Sequence, residues 1–219
     1  MTQVFISVEG QTEETFVREV LASHLEHYGI YTTAIILTTS RTIAGIKRKG
    51  GIIPYFKAQH EITNLLRNTK IDAVTTMYDL YKLQTDFPGY ATVPAGNCFT
   101  KTAYLEAEFK KAIDNPRFRP YLQVHEFEAF LFVDPTITAG LFPGTNNLKE
   151  LLAIKQKFNS SEEINDGETT APSKRILHLF PNYQKVTDGS LVVKNVGLEK
   201  IRAECRHFDE WLTWLEQLG

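Results

Sequence analysis

Val4-Phe5-Ile6-Ser7-Val8-Glu9-Gly10-Gln11-Thr12-Glu13-Glu14-Thr15-Phe16 is the stretch whose reading decides the fold. Its first five residues are β-branched, aromatic or small and read as a buried strand. The run stops on a carboxylate, Glu9. Gly10 is then expected to make a tight turn that a Cβ would resist. Thr12 is read as the N-cap of a helix whose apolar positions Phe16, Val20, Leu21 and Leu25 follow at helical spacing. Strand, acid, glycine and helix in that order place Glu9 and Glu13 where ligands sit in open α/β sheets. Acids in a first helical turn also stabilise the helix dipole, which accounts for Glu14. Glu9 has no such local role, because it precedes the helix.

The same pattern recurs downstream. Ile71 to Tyr81 reads as an interior strand that runs into Asp79. Phe118 to His125 reads as another, followed by Glu126-Phe127-Glu128-Ala129-Phe130-Leu131-Phe132. Three strand–acid–helix sequences in a βαβ-type alternation imply acids converging on one edge of a mainly parallel sheet flanked by helices. Between them, Ile30 to Leu37 has strand composition. Tyr55 to Asn68 reads as an amphipathic helix burying Phe56, Ile62, Leu65 and Leu66. Thr100 to Asp114 reads as a helix beginning near Thr100 or Thr102. Lys82 to Asn97 carries the turn formers Asp86, Pro88, Gly89, Pro94 and Gly96 and reads as a long loop, a length often tied to function. The most basic window, Arg41 to Gly51, contains Arg41, Lys47, Arg48 and Lys49. It reads either as a solvated loop or as a flap that contacts phosphate.

Composition shifts near residue 135, which divides the chain into an α/β core, 1–135, and a helical C-terminal part, 136–219, packed on that core. Within the second part, helices are expected at Leu148 to Phe158 and at Ser173 to Phe180, the latter carrying Lys174 and Arg175. Tyr183 to Gly189 reads as a turn with Lys185. A single long helix is expected from Val196 to Leu218, with Ile201, Cys205, Phe208, Trp211, Leu212 and Leu215 as its core-facing stripe.

The 219 residues carry a formal net charge of −2, so no bulk electrostatic pull toward nucleic acid exists and any such contact must be local. Cys98 and Cys205 are far apart and read as free thiols. A basic leader and a membrane-length apolar run are both lacking, and the expectation is a cytoplasmic protein. No Walker-type loop and no Gly-x-Ser-x-Gly elbow occurs. His125 is read either as a buried structural histidine or as a general base or ligand. Acids gathered at one sheet edge repel each other unless a cation lies between them. Oxygen-only ligation suits Mg²⁺ or Mn²⁺, ions that activate water and stabilise phosphoryl displacement.

Val8-Glu9-Gly10-Gln11-Thr12-Glu13 resembles the first motif of Toprim domains, in the version found in overcoming-lysogenization-defect (OLD) nucleases. The resemblance implies a Toprim-like, Rossmann-like fold in which Glu9, Glu13 and Asp79 hold the metal. Tyr81 stands where the pattern has its second aspartate, a departure that bears on two-metal catalysis, and Asp86 is the candidate to compensate. Added to Tyr78-Asp79, Asp86-Phe87-Pro88-Gly89, His125 to Phe132 and Pro172-Ser173-Lys174-Arg175, the set resembles bacterial domain-of-unknown-function family 4276. This implies a nuclease or nuclease-like effector, working in anti-phage defence beside a separately encoded ABC- or SMC-like ATPase. Glu9, Asp79, Glu126, Glu128 and Lys185 are then the catalytic set. Arg41, Lys47, Arg48, Lys174 and Arg175 are the nucleic-acid contacts. Two other readings stay open: a degenerate module that docks on an ATPase, and a phosphatase with Asp79 as nucleophile.

Overall fold

The computed structural model describes residues 1–41, 47–49, 53–142, 147–164, 167 and 169–219, with backbone alone at 38–41, 47–49 and 82. β1 (Thr2–Val8) pairs in parallel with β2 (Ile30–Ile36) on one side and with β5 (Ala73–Asp79) on the other. β5 in turn pairs with β6 (Phe118–Arg119) and β7 (Leu122–Gln123), giving a five-stranded parallel sheet. Every residue of β5 is buried, as expected for a strand covered on both faces.

Side-chain alternation sorts the two faces. Val4, Ile6, Val8, Ala73 and Met77 join one apolar cluster with α1 (Gln11–Phe16), its continuation to Glu26, and C-terminal residues such as Phe208, Trp211 and Leu215. Val74 and Tyr78 join a second cluster with α3 (Tyr55–Leu66) and α4 (Cys98–Ile113). The first cluster thus draws on residues from both sides of position 135. Trp211, 2% exposed, donates its indole N–H to Thr75 Oγ1 at 3.0 Å, which satisfies a polar side chain in mid-strand. Burying a large aromatic side chain of this kind contributes roughly 2–3 kcal/mol.

Several expectations are corrected at the level of local structure. The N-cap of α1 is Gly10, not Thr12, and Gly10 is extended (φ −158°). A Cβ there would rest 3.4 Å from Glu13 Oε2, ordinary contact, so neither strain nor crowding demands glycine. Phe56 is 62% exposed and Leu65 half-buried, whereas Ile62 and Leu66 are buried as expected, together with Ala58. The cap of α4 is Asn97, whose Oδ1 accepts from Thr100 N–H at 2.9 Å. The strand read over 118–125 breaks at Pro120-Tyr121. Thr76 bridges the break: its Oγ1 accepts from Tyr121 N–H (3.0 Å) while its hydroxyl donates to Tyr121 O (2.9 Å). The basic window is not a loop where it is described. β3 (Thr38–Arg41) and β4 (Lys47–Lys49) pair antiparallel, with Arg41 opposite Lys47. The side chains of Arg41, Lys47 and Arg48 lie outside the described residues, as do Gly50 and Gly51.

Past residue 135 come α5 (Pro135–Gly140), α6 (Leu148–Lys155), α7 (Pro172–Leu179), α8 (Ser190–Val196), α9 (Leu198–Glu204) and α10 (Arg206–Glu216). The expected single terminal helix is broken twice. Gly197 (φ +82°) separates α8 from α9, and Cys205 (φ −111°, ψ 86°) separates α9 from α10. The stripe from Ile201 to Leu215 is nonetheless buried throughout. The expected turn at Tyr183 to Gly189 holds a π-helical turn, Lys185–Gly189, that leads into α8. Among the described residues no helix is long and apolar enough to cross a membrane.

Candidate functional site

The carboxyl ends of β1 and β5 lie side by side, since Val8 is in register with Met77. Glu9 follows β1 directly, Glu13 sits in the first turn of α1, and Asp79 ends β5. The chain after β7 turns through His125, a buried residue with φ +61°. A left-handed histidine is uncommon, and such conformations cluster at functional sites. Its carbonyl accepts from Tyr81 N–H at 3.0 Å, which ties this turn to the end of β5. The next segment, Phe127–Phe132, is a 3-10 helix rather than the α-helix expected, and it presents Glu128 one residue after Phe127. Phe127 N–H donates to Asp79 Oδ1 at 3.0 Å, so the third acidic segment is hydrogen-bonded to the second.

Lys185 stands at the centre of this assembly. Its Nζ lies 3.1 Å from Glu128 Oε2, 3.6 Å from Asp79 Oδ2 and 3.8 Å from Glu13 Oε1. All three acids are at most 3% exposed. Burial opposes the charge on Lys185, yet Asp79, Glu128 and Glu13 together hold its pKa well above the ordinary lysine range. Burial pushes the Glu128 carboxyl up to about 7. Lys185 pulls it down, and the charges of Asp79 and Glu126 add to the rise. Among the described residues Glu128 Oε1 is buried with no hydrogen-bond partner.

Beside this cage opens a cleft of about 330 Å³ lined by Tyr81, Glu126, Glu128, Ser173, Lys174, Leu177, Tyr183 and Lys185. Glu126, one of its lining residues, is held in place because Ser173 N–H at the start of α7 donates to its Oε2 at 2.9 Å. Tyr183 brings a buried hydroxyl whose pKa is raised by burial and by Glu128. Gly189 has no room for a side chain, as a Cβ would fall 2.6 Å from Tyr183 Oη.

The expected residues therefore separate into groups. Glu13, Asp79, Glu128 and Lys185 meet, and Glu126 and Lys174 share the cleft. Glu9 is 6% exposed at the same sheet edge, where its charge, after burial and together with Glu61, raises the pKa of Tyr78. Asp86 is put to a different use from the one expected: exposed on its loop, it accepts from Tyr55 N–H at 2.9 Å and caps α3. Arg175 donates from Nε to Thr170 O at 2.6 Å and lies over the Phe158 ring rather than lining the cleft. Tyr183 and Ser173 went unassigned in the sequence. Ser173 acts through its backbone N–H and Tyr183 sits in a segment read as a turn, so residue type carried no signal for either.

All donors of the cage are carboxylate oxygens, the chemistry that suits a hard divalent cation, and Glu128 Oε1 is a buried donor still available. Among the described residues, however, no three Asp, Glu, His or Cys side chains are arranged around an ion-sized position. The ammonium of Lys185 is what the carboxylates surround.

Residues 8–216 match a family described as "Domain of unknown function (DUF4276)". No curated protein matches the chain. Among solved structures, the C-terminal region of the Xanthomonas campestris pv. campestris OLD protein is similar over 98% of this chain and 97% of that chain, at 14% identity and a TM-score of 0.40.

Proposed function

The chain belongs to the DUF4276 family, and from that premise we propose that it is a Toprim-type nuclease or nuclease-like effector that cuts nucleic-acid phosphodiesters with Mg²⁺ or Mn²⁺. The observation that carries the reading is the convergence of Glu13, Asp79 and Glu128 beside a cleft that also holds Glu126 and Lys174. Such a concentration of buried acid is costly for a fold that only needs to be stable. In this reading Glu9, Glu13, Asp79 and Glu128 hold the ion, which supplies an activated water and charge stabilisation at phosphate. Lys174 at the cleft wall and the basic hairpin Arg41, Lys47 and Arg48 hold the phosphate backbone. Glu126, oriented by Ser173 N–H, accepts a proton from the attacking water. Lys185 offers its ammonium to the phosphate oxygens as charge develops. The core 1–135 supplies the acids, and the part 136–219 supplies Lys174 and Lys185. The protein works in the cytoplasm with a separate ATPase as partner.

Incubated with DNA and with RNA, the protein is expected to cleave when Mg²⁺ or Mn²⁺ is present and to stop in chelator. Glu9→Ala and Asp79→Ala should each lower the rate by at least ~100-fold. Cleavage that survives both substitutions overturns the reading. A second reading, a module that docks on an ATPase without chemistry of its own, is favoured by Tyr81 and by the ammonium already seated among the acids. It requires no cleavage and no rise in melting temperature in millimolar Mn²⁺.

A further inference from the structure

The cleft beside the cage has an apolar wall that the chemistry above leaves unused. Tyr81 and Leu177 both line it, and they are 36% and 43% exposed. Large apolar side chains left open inside a concavity are typical of ligand sites. Tyr81 is held by its backbone, since its N–H donates to His125 O at 3.0 Å, so its ring starts from a fixed point on the cleft wall. At about 330 Å³ the cleft lies at the small end of ligand pockets, which run to about 1,000 Å³. That is room for one base with its sugar and phosphate, and not for a duplex.

The polar groups fit the same occupant. Lys174, also in the wall, is exposed and forms no ion pair among the described residues, so its ammonium is open to a phosphate. The carboxylates of the cleft are already engaged: Glu126 Oε2 by Ser173 N–H at 2.9 Å and Glu128 Oε2 by the Lys185 ammonium at 3.1 Å. Tyr183, 8% exposed, adds a buried hydroxyl that has no hydrogen-bond partner among the described residues. A buried hydroxyl without a partner is costly, and a ligand oxygen in the cleft would supply one.

We propose that the cleft seats one unpaired nucleotide of a single-stranded nucleic acid, with its base stacked on Tyr81 and packed against Leu177 and its phosphate on Lys174. Stacking on an aromatic ring is tolerant of sequence, because every base has a π-face. The seat therefore selects single strands over duplexes, whose base faces are already covered, rather than one sequence over another. It rests on the nucleic-acid substrate of the reading above, but not on its ion.

The test is binding by fluorescence anisotropy in chelator, so that no strand is cut. The probes are short labelled oligoadenylates of DNA and of RNA, the same strands with abasic sugars, their duplexes with the complementary strand, and free AMP as competitor. An intact strand is expected to bind on the order of tenfold more tightly than its abasic counterpart. Tyr81→Ala should remove that gain and Tyr81→Phe should keep it. Lys174→Ala should weaken intact and abasic strands alike. Leu177→Ala, at an exposed position, should cost the intact strand severalfold, and it decides the matter even where Tyr81→Ala does not fold. Equal binding of intact and abasic strands overturns the seat, as does a folded Tyr81→Ala that binds like Tyr81→Phe. A duplex bound as tightly as the strand, or AMP displacing the strand at equal concentration, overturns the single-strand assignment. Tyr81-dependent strand binding with no cleavage in Mg²⁺ or Mn²⁺ supports the seat and rejects the nuclease reading. Equal binding of intact and abasic strands alongside Mn²⁺-dependent cleavage that Asp79→Ala abolishes rejects the seat alone.

Discussion

Glu162 and Glu128 are both buried glutamates, at 0% and 1% exposure, and they sit in opposite kinds of surroundings. Glu162 accepts from His207 N–H at Oε2 and from Phe208 N–H at Oε1, each at 3.0 Å, so both oxygens close the open N-terminus of α10. Nearby Glu106 accepts from Leu122 N–H at 2.7 Å, and His207 Nε2 lies 2.9 Å from the same oxygen. His207 in turn stacks on Tyr121, which stacks on Trp211. Each acid in that region meets donors that belong to the fold. Glu128 meets an ammonium shared with two other acids, and one of its oxygens meets no donor among the described residues. The difference lies in who supplies the partners. Where backbone donors satisfy both oxygens the acid builds structure, and where they do not, its burial is left uncompensated by the backbone.

The largest expected effect on stability sharpens the contrast from the structural side. Glu162→Ala leaves two buried N–H groups without acceptors and should lower the unfolding free energy by about 3 kcal/mol in urea titration. A loss below about 1 kcal/mol would break the comparison.

A smaller effect, readable by pH, tests the other side. The folded-state pKa of Glu128, about 7, lies above its ordinary value of 4.5. A raised carboxyl contributes stability that is fully present below 4.5 and is lost as pH rises through 7. Metal-free protein should therefore lose on the order of 2 kcal/mol from this group over that window. Glu128→Gln should flatten that part of the profile. An unchanged profile in the variant would place the burden on another group.

How much of this was legible in the sequence follows from the range of each interaction. β1, the turn at Glu9 and the helix after it were readable because a buried strand and an amphipathic helix are local patterns. Asp79 was readable for the same reason. The break at Cys205 was not, since the apolar stripe from Ile201 to Leu215 keeps helical spacing across it and packing alone sets the kink. The role of Glu162 was hidden because the N–H groups it accepts from belong to His207 and Phe208, far along the chain. Lys185 could be named as a member of the catalytic set, but not as the centre of the cage. Its partners lie at positions 13, 79 and 128, and only the folded sheet edge brings them within 4 Å. Asp86 shows the converse: its spacing from Asp79 invites a metal role, and its geometry makes it a helix cap.

The most direct test of the central claim is a crystal of the protein soaked in Mn²⁺ and measured at the manganese absorption edge. The account requires an anomalous peak bound by carboxylate oxygens of Glu9, Glu13, Asp79 and Glu128, the residues proposed to hold the ion. A map in which no peak appears among them would contradict it.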